Sequence, residues 1–90
     1  MSSETKHIVE FTLIYNRYKQ RLYNYVIKMT SDNDLAEDIV QNTFMKLFEN
    51  IESIKNKDRV AFWIFKTARN DLYKHFRKRR VIREKSEIIG

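Results

Sequence analysis

The 90-residue sequence contains no cysteine, no proline and a single glycine, at its last position. The lack of cysteine excludes a disulfide framework and a thiolate metal site, and it fits a reducing cytosol. Because few residues break helices, we predict an all-α fold. Hydrophobic residues make up 42% of the chain, which favours one small folded domain over a disordered chain.

Long apolar runs are absent as well. None approaches the roughly 18 residues of a membrane-spanning helix. The N-terminal stretch MSSETKH lacks the cationic and apolar regions of a signal peptide. We therefore predict a cytoplasmic protein that makes no membrane contact.

Residues that carry catalysis are sparse. His7 and His75 lie far apart and indicate no metal site, and one glycine cannot form a phosphate-binding loop. Glu37 and Asp38 are adjacent carboxylates, but adjacent helical side chains diverge by about 100°, so they do not converge on one atom. We predict neither enzymatic activity nor a cofactor.

The chain instead has one concentrated basic segment. Residues 55–85 contain twelve Lys and Arg against three Asp and Glu, a net charge of +9, whereas the whole chain carries only +6. A basic domain whose charge is concentrated in one segment usually faces a polyanion. We therefore look for a nucleic-acid surface in this segment.

The spacing of hydrophobic residues predicts three helices, at about residues 5–29, 35–50 and 59–80, in one domain spanning residues 1–90. The polar run at residues 31–33 predicts a turn. Asp34 and Glu37 are assigned to a capping box that starts the second helix. Asp58 is favoured over Asn56 as the N-cap of the third helix.

The first two helices each present an apolar side that we assign to the core. On the first helix it consists of Ile8, Phe11, Tyr15, Tyr18, Leu22, Tyr25 and Met29. On the second helix it consists of Ala36, Ile39, Val40, Thr43, Phe44, Leu47, Phe48 and Ile51.

The opposite side of the second helix is polar and acidic. It carries Glu37, Asp38, Gln41, Asn42, Met45 and Glu49, and residues 31–54 have a net charge of −5. A surface of that sign is unsuited to nucleic acid. It is either a solvated helix face or a docking face for a basic protein partner.

The third helix has more aromatic residues than its core row needs. That row consists of Val60, Ile64, Ala68, Leu72 and Phe76. Five aromatics lie on this helix, at positions 62, 63, 65, 73 and 76. Either all five fill the core, or some lie beside Lys and Arg, where rings stack on unpaired bases. We assign Trp63 to the core and leave Tyr73 open.

Two blocks of the sequence resemble a known family. DLAEDIVQNTFMKLF, residues 34–48, resembles the "AEDLVQETFLRAW" block of region two in bacterial sigma factors of the extracytoplasmic-function group. AFWIFKTARNDLY, residues 61–73, followed by RKRR at 77–80, resembles their "WLYRIARN…D…RRR" helix. The blocks occur in the family's order and spacing, and the resemblance covers about residues 15–80.

The resemblance implies a compact three- to four-helix domain that acts in transcription initiation. Its second helix docks on the coiled-coil clamp helices of the largest subunit of core RNA polymerase. Matching the motif position by position, the candidate polymerase contacts are Glu37, Asp38, Gln41, Asn42 and Met45. An anti-sigma protein is a further candidate partner.

The resemblance also implies that the third helix and the loop before it, at about residues 50–58, bind promoter DNA. They hold the single-stranded non-template strand of the minus-ten element and trap a flipped base. Asn70 matches an asparagine that bonds a base edge, and Tyr73 is a candidate for stacking. The DNA-binding candidates are Lys55, Asn56, Lys57, Arg59, Lys66, Arg69, Asn70, Tyr73, Lys74, Arg77, Lys78 and Arg80.

The chain departs from the family pattern in two ways. The loop lacks the family's glycine and has Lys55-Asn56-Lys57 in its place. Because Asn tolerates a left-handed backbone, we expect the turn to survive with an altered base preference. The family also has a second domain that reads the minus-thirty-five element. We expect the present chain to be an excised region-two domain rather than a protein that acts without that half.

Two other hypotheses remain open. A general basic module would coat nucleic acid through the RKRR cluster, with an affinity that falls steeply with salt and ignores base sequence. A protein–protein adaptor would bind a basic coiled coil through its acidic helix. Removing residues 77–80 would then leave its main affinity unchanged.

Overall fold

The computed structural model describes the backbone of residues 3–54 and 56–89, and the side chains of residues 5–54, 56 and 58–78. These residues form three α-helices and no strand: α1 (Ser3–Thr30), α2 (Asn33–Asn50) and α3 (Val60–Ile89), with a 3₁₀ turn (Lys57–Arg59) before α3. Each helix contacts both others. The prediction of an all-α bundle is confirmed. Within the described residues, none of the helices has the length and hydropathy that crossing a membrane requires.

The connection between α1 and α2 is a tight reversal. Ser31 has φ 59°, in the left-handed region, and its N–H donates to a carbonyl of the preceding turn at 2.9 Å. Asp32 is extended and its carboxylate accepts a hydrogen bond from the N–H of Leu35 at 3.1 Å. The predicted turn is confirmed. The capping box of Asp34 and Glu37 is wrong, because the reversal at Ser31 makes Asp32 the N-cap.

The start of α3 also differs from the prediction. The side-chain oxygen of Asn56 accepts a hydrogen bond from the N–H of Asp58 at 3.0 Å, and its carbonyl accepts one from the N–H of Arg59 at 3.0 Å. Asn56 therefore caps the N-terminus of the 3₁₀ turn. The assignment of Asp58 as N-cap is wrong, because Asp58 lies inside that turn and α3 begins at Val60.

The third helix is longer than the spacing predicted. It continues to Ile89 instead of ending near residue 80. The added residues contain no glycine or proline, and several are Arg, Glu or Lys, which are good helix formers. Nothing in the local sequence therefore stops the helix where its hydrophobic pattern fades.

The core lies where the three helices meet. The predicted row of α3 is confirmed, since Val60, Ile64, Ala68 and Leu72 are buried and Phe76 packs against them partly buried. The other buried apolar side chains of this cluster are Leu22, Val26, Leu35, Ala36, Ile39, Phe44 and Leu47. One core thus supports the outward faces of both α2 and α3.

The predicted core stripes of α1 and α2 need correction at one end. Ile8 is 54% exposed, and Tyr15 and Phe48 are also exposed, whereas Val26, which was not assigned to the core, is fully buried. Ile8 lies beside Phe48 and Ile51, at the point where α2 ends. Ile8 and Val9 are exposed because α2 ends at Asn50 and does not cover them.

Candidate functional site

The outward side of α2 carries every residue predicted to contact polymerase. Glu37, Asp38, Gln41, Asn42 and Met45 are all exposed, while the core residues of the same helix point inward. We call these five residues the docking face. Met45, the apolar member of this face, is 61% exposed.

The docking face borders an apolar hollow of about 420 Å³ between α1 and α2. Its lining residues are Phe11, Tyr15, Gln41, Phe44, Met45, Phe48 and Glu49. Edge-to-face contacts order its rings, with centroid distances of 5.3 Å for Phe11–Phe48 and 4.9 Å for Tyr15–Phe44. An ordered apolar hollow beside acidic groups suits an apolar side chain from a basic partner. Sequence reasoning missed it, because Tyr15 and Phe48 had been assigned to the core.

The outward side of α3 is cationic. The predicted DNA-binding residues that are exposed are Lys66, Arg69, Asn70, Tyr73, Lys74, Arg77 and Lys78 on α3, together with Asn56 in the loop and Arg59 in the 3₁₀ turn before it. We call this set the cationic face. Lys55 lies outside the described residues, as do the side chains of Lys57 and Arg80. Lys66 and Asn70 are exposed, so their side chains are accessible to a ligand.

Two hollows on α3 bring several of these residues together. Asn70, Tyr73, Lys74, Phe76 and Arg77 line one of about 530 Å³. The other, of about 410 Å³, is lined by Ser53, Ile54, Asn56, Arg59, Phe62, Trp63 and Lys66. The second hollow joins the loop after α2 to the first turns of α3.

The most exposed aromatic ring of α3 is that of Phe62, at 70%. The ammonium nitrogen of Lys66 lies 5.8 Å from its ring centroid, at cation–π distance. Sequence reasoning did not single out Phe62. The signal was present, because Phe62 lies two residues from both Val60 and Ile64 and therefore about 160–200° around the helix from the core row.

The remaining aromatics of α3 divide between core and surface. Trp63 and Phe65 are partly buried against the core, and Phe65 meets Tyr25 edge to face at 5.2 Å. The assignment of Trp63 to the core is confirmed. Tyr73, which was left open, is 47% exposed and borders the hollow at Asn70.

An ion pair joins α2 and α3. The ammonium nitrogen of Lys46 on α2 lies 2.9 Å and 3.1 Å from the two carboxylate oxygens of Asp71 on α3. The Asp71 side chain is only 14% exposed. This pairing could not be predicted from helical spacing, because the residues are 25 positions apart. In the part of the chain that the structure describes, no group of three or more His, Asp or Glu is placed to hold a metal ion.

Comparison with known proteins finds matches that cover most of the chain. Residues 14–81 match the family model described as sigma-70 region 2. The chain is 35% identical over 78 residues to the ECF RNA polymerase sigma factor SigM of Bacillus subtilis, covering 86% of this chain and 47% of that protein. It is 28% identical over 80 residues to SigX of the same organism, covering 89% of this chain and 40% of that protein.

A third relative comes from a different genus. The chain is 30% identical over 60 residues to the ECF RNA polymerase sigma-E factor of Haemophilus influenzae, covering 67% of this chain and 31% of that protein. The chain spans less than half the length of each of these three relatives. The matches therefore concern one region of a longer kind of protein.

Proposed function

The chain belongs to the sigma-70 region 2 family, as a region-two domain of an extracytoplasmic-function sigma factor, and we propose that it directs transcription initiation by two binding events. The docking face on α2 binds the clamp helices of the largest subunit of core RNA polymerase. The cationic face on α3, with the loop before it, binds the single-stranded non-template strand of the minus-ten element. The proposal involves binding and no catalysis.

The observation that carries this proposal is the separation of two exposed surfaces of opposite charge over one core. Asp38 and Gln41 lie on α2, whereas Lys66 and Asn70 lie on α3, and all four are exposed. A polymerase and a DNA strand can therefore bind at the same time. A module that only coated nucleic acid would have no use for an exposed acidic helix, since that helix repels phosphates.

Phe62 and Asn70 have different roles in binding a melted strand. Stacking on an exposed ring stabilises an unpaired base by about 1–3 kcal/mol, whatever the base. The Phe62 ring supplies that surface, and the nearby Lys66 ammonium places positive charge beside it. Asn70 can read a base edge, because its amide has both a donor and an acceptor. Tyr73 adds a second ring in the Asn70 hollow.

The docking face combines charge with an apolar anchor. Glu37 and Asp38 attract a basic partner, while Met45 and Phe48 offer an apolar hollow that becomes buried on binding. Interfaces of this kind depend on a few central apolar or aromatic contacts, with charges at the rim setting partner choice and association rate. An anti-sigma protein that covered the same hollow would compete with polymerase.

We propose that residues 1–90 act as one such domain, because the three helices share one core. Its place of action is proposed to be the cytoplasm, where sigma factors act on RNA polymerase. We propose that a minus-thirty-five element is read by a second domain of the kind found in this family, and not by region two. The base preference of the loop is proposed to differ from the family's, since Lys55-Asn56-Lys57 replaces its glycine-containing turn.

The docking half is tested by co-purification of core RNA polymerase with the tagged chain. Asp38→Arg and Gln41→Ala are expected to reduce recovery of polymerase, because one reverses a rim charge and the other removes a polar contact. Lys28→Ala, at an exposed position on α1, is the matched control and is expected to leave recovery unchanged. Undiminished recovery with Asp38→Arg would contradict the docking proposal.

The DNA half is tested by fluorescence anisotropy with labelled single strands and duplexes that carry a minus-ten element. The chain is expected to prefer the single strand and to distinguish base sequences, and Asn70→Ala is expected to lose that distinction. Equal binding of duplex and single strands, with sequence preference intact in Asn70→Ala, would rule this half out. A steep salt dependence without any sequence preference would favour the general basic module. Unchanged affinity for the principal partner after removal of residues 77–80 would favour the adaptor.

A further inference from the structure

One acidic residue is embedded in the basic part of α3. Asp71 is the only Asp or Glu between Arg59 and Arg80, where eight other residues are Lys or Arg, counting the two ends. It directly follows Asn70, which is exposed, and precedes Leu72, which is fully buried. Asp71 therefore lies at the border between the cationic face and the core.

The carboxylate of Asp71 is engaged from the opposite helix. The Lys46 ammonium contacts both carboxylate oxygens, at 2.9 Å and 3.1 Å, and the Asp71 side chain is 14% exposed. Lys46 itself is 44% exposed and belongs to α2, the helix that bears the docking face. It is the one basic residue between Ser31 and Ile54, and its charge is directed to an acid on α3.

We propose that Lys46 is a positioning residue for DNA binding: it holds the Asp71 carboxylate on the protein side of α3 and neutralises it, so that this charge does not oppose the strand bound beside Asn70. The inference rests on the proposed function. Lys46 need not touch DNA to act in this way. Its contribution is to remove a repulsive charge from a surface whose affinity depends on attraction for phosphates.

The size of the effect follows from simple electrostatics. Two unit charges about 10 Å apart interact weakly in water and more strongly near a protein surface, and the energy is screened over about 10 Å at 0.1 M salt. Loss of the Lys46 charge is therefore expected to weaken binding of a single strand by about three- to tenfold at low salt. Loss of the Asp71 charge is expected to leave affinity unchanged or raised.

The test is a double-mutant cycle of Lys46→Met, Asp71→Asn and the combined variant, read by anisotropy on a labelled minus-ten single strand and on an oligothymidine of equal length. Lys46→Met is expected to bind both strands about three- to tenfold more weakly. Asp71→Asn is expected to bind at least as well as the parent chain. The combined variant is expected to return to within about twofold of Asp71→Asn, because no unpaired carboxylate remains.

Each departure from this ranking overturns the inference. Equal weakening by Lys46→Met and Asp71→Asn would mean that the pair is only a structural tie, since both variants break it. A combined variant as weak as Lys46→Met would mean that Lys46 contacts phosphate directly. Parent-like binding by Lys46→Met would mean that the carboxylate does not oppose DNA. Circular dichroism melts at the assay salt establish that each variant is folded, and Lys28→Met is the matched control.

The two strands separate failure of this inference from failure of the proposed function. A parent chain that binds both strands equally contradicts selective recognition of the minus-ten element. The ranking of the variants on oligothymidine still tests whether Lys46 neutralises Asp71. Conversely, a parent chain that prefers the minus-ten strand while the variants fail to rank as expected contradicts the role of Lys46 alone.

Discussion

The outward faces of α2 and α3 are built on one core and yet are opposite in chemistry. On α2 the exposed groups are carboxylates, amides and a thioether beside an apolar hollow. On α3 they are ammonium and guanidinium groups with the exposed rings of Phe62 and Tyr73. The buried residues of both helices are of similar kinds, mainly Leu, Ile, Ala and other apolar residues. The core thus determines how the helices pack, while the exposed positions determine the surface chemistry of each helix.

The strongest way to break this comparison is to remove the core that both faces share. Leu72→Ala is expected to lower the free energy of unfolding by about 2–5 kcal/mol, because it leaves a cavity at a fully buried site. Both polymerase recovery and DNA binding are then expected to fall at temperatures where the variant unfolds. The measurement is urea unfolding followed by circular dichroism. Leu13→Ala, at a 66% exposed position on α1, is the control and is expected to change stability little.

Removing one exposed ring at a time tests whether the two faces act separately. Phe62→Ala is expected to weaken binding of a single strand by about 1–3 kcal/mol, because a stacking surface is lost. Phe48→Ala, which removes an exposed ring beside the docking face, is expected to reduce polymerase recovery instead. Anisotropy and co-purification are measured on both variants. Equal losses in both assays for either variant would mean that the two faces are not separate.

Removal of the N-cap of α2 tests whether the three helices unfold in a single transition. Asp32→Ala is expected to lower stability by about 0.5–2 kcal/mol, because the N–H of Leu35 loses its acceptor. Asp34→Ala is the matched control, and its smaller expected effect reflects only the favourable position of a carboxylate in the first turn. A single unfolding transition, displaced in Asp32→Ala, is expected from thermal melts. Equal effects of the two substitutions would restore Asp34 as a capping residue.

The smallest effect concerns charge alone. Lys66→Met is expected to make the slope of log affinity against log salt concentration shallower by about 0.7, the contribution of one phosphate contact on a single strand. Asp38→Asn removes one charge from the docking face and is expected to leave that slope nearly unchanged. Titrations at several salt concentrations measure both slopes. An unchanged slope in Lys66→Met would place that ammonium away from the bound strand.

Much of the fold was predictable because it depends on periodicity. The row from Val60 to Leu72 is buried as its four-residue spacing predicts, and the polar residues at 31 and 32 separate α1 from α2. The caps were less predictable, because Asp32 and Asp34 are chemically equivalent and only the left-handed backbone at Ser31 selects between them. The end of α3 was missed because no local breaker marks where a hydrophobic pattern fades.

The candidate surfaces were predictable in composition and less so in detail. The exposure of Asp38, Gln41, Lys66 and Asn70 agrees with their assignment to binding faces. The hollow beside Met45 was not foreseen, because it lies between α1 and α2 and its lining residues Tyr15 and Phe48 were predicted to be core. Likewise, no single-helix pattern brings together the two members of the Lys46–Asp71 pair, since they meet only when the helices pack.

The two connections between the helices differ in length and in what they border. Two residues, Ser31 and Asp32, reverse the chain between α1 and α2, and both are constrained by backbone geometry and capping. The second connection follows α2, and its residues Ser53, Ile54 and Asn56 line the hollow that also contains Phe62. Under the proposed function, substitutions in the second connection would alter the contacts to the bound strand and leave the docking face on α2 unchanged.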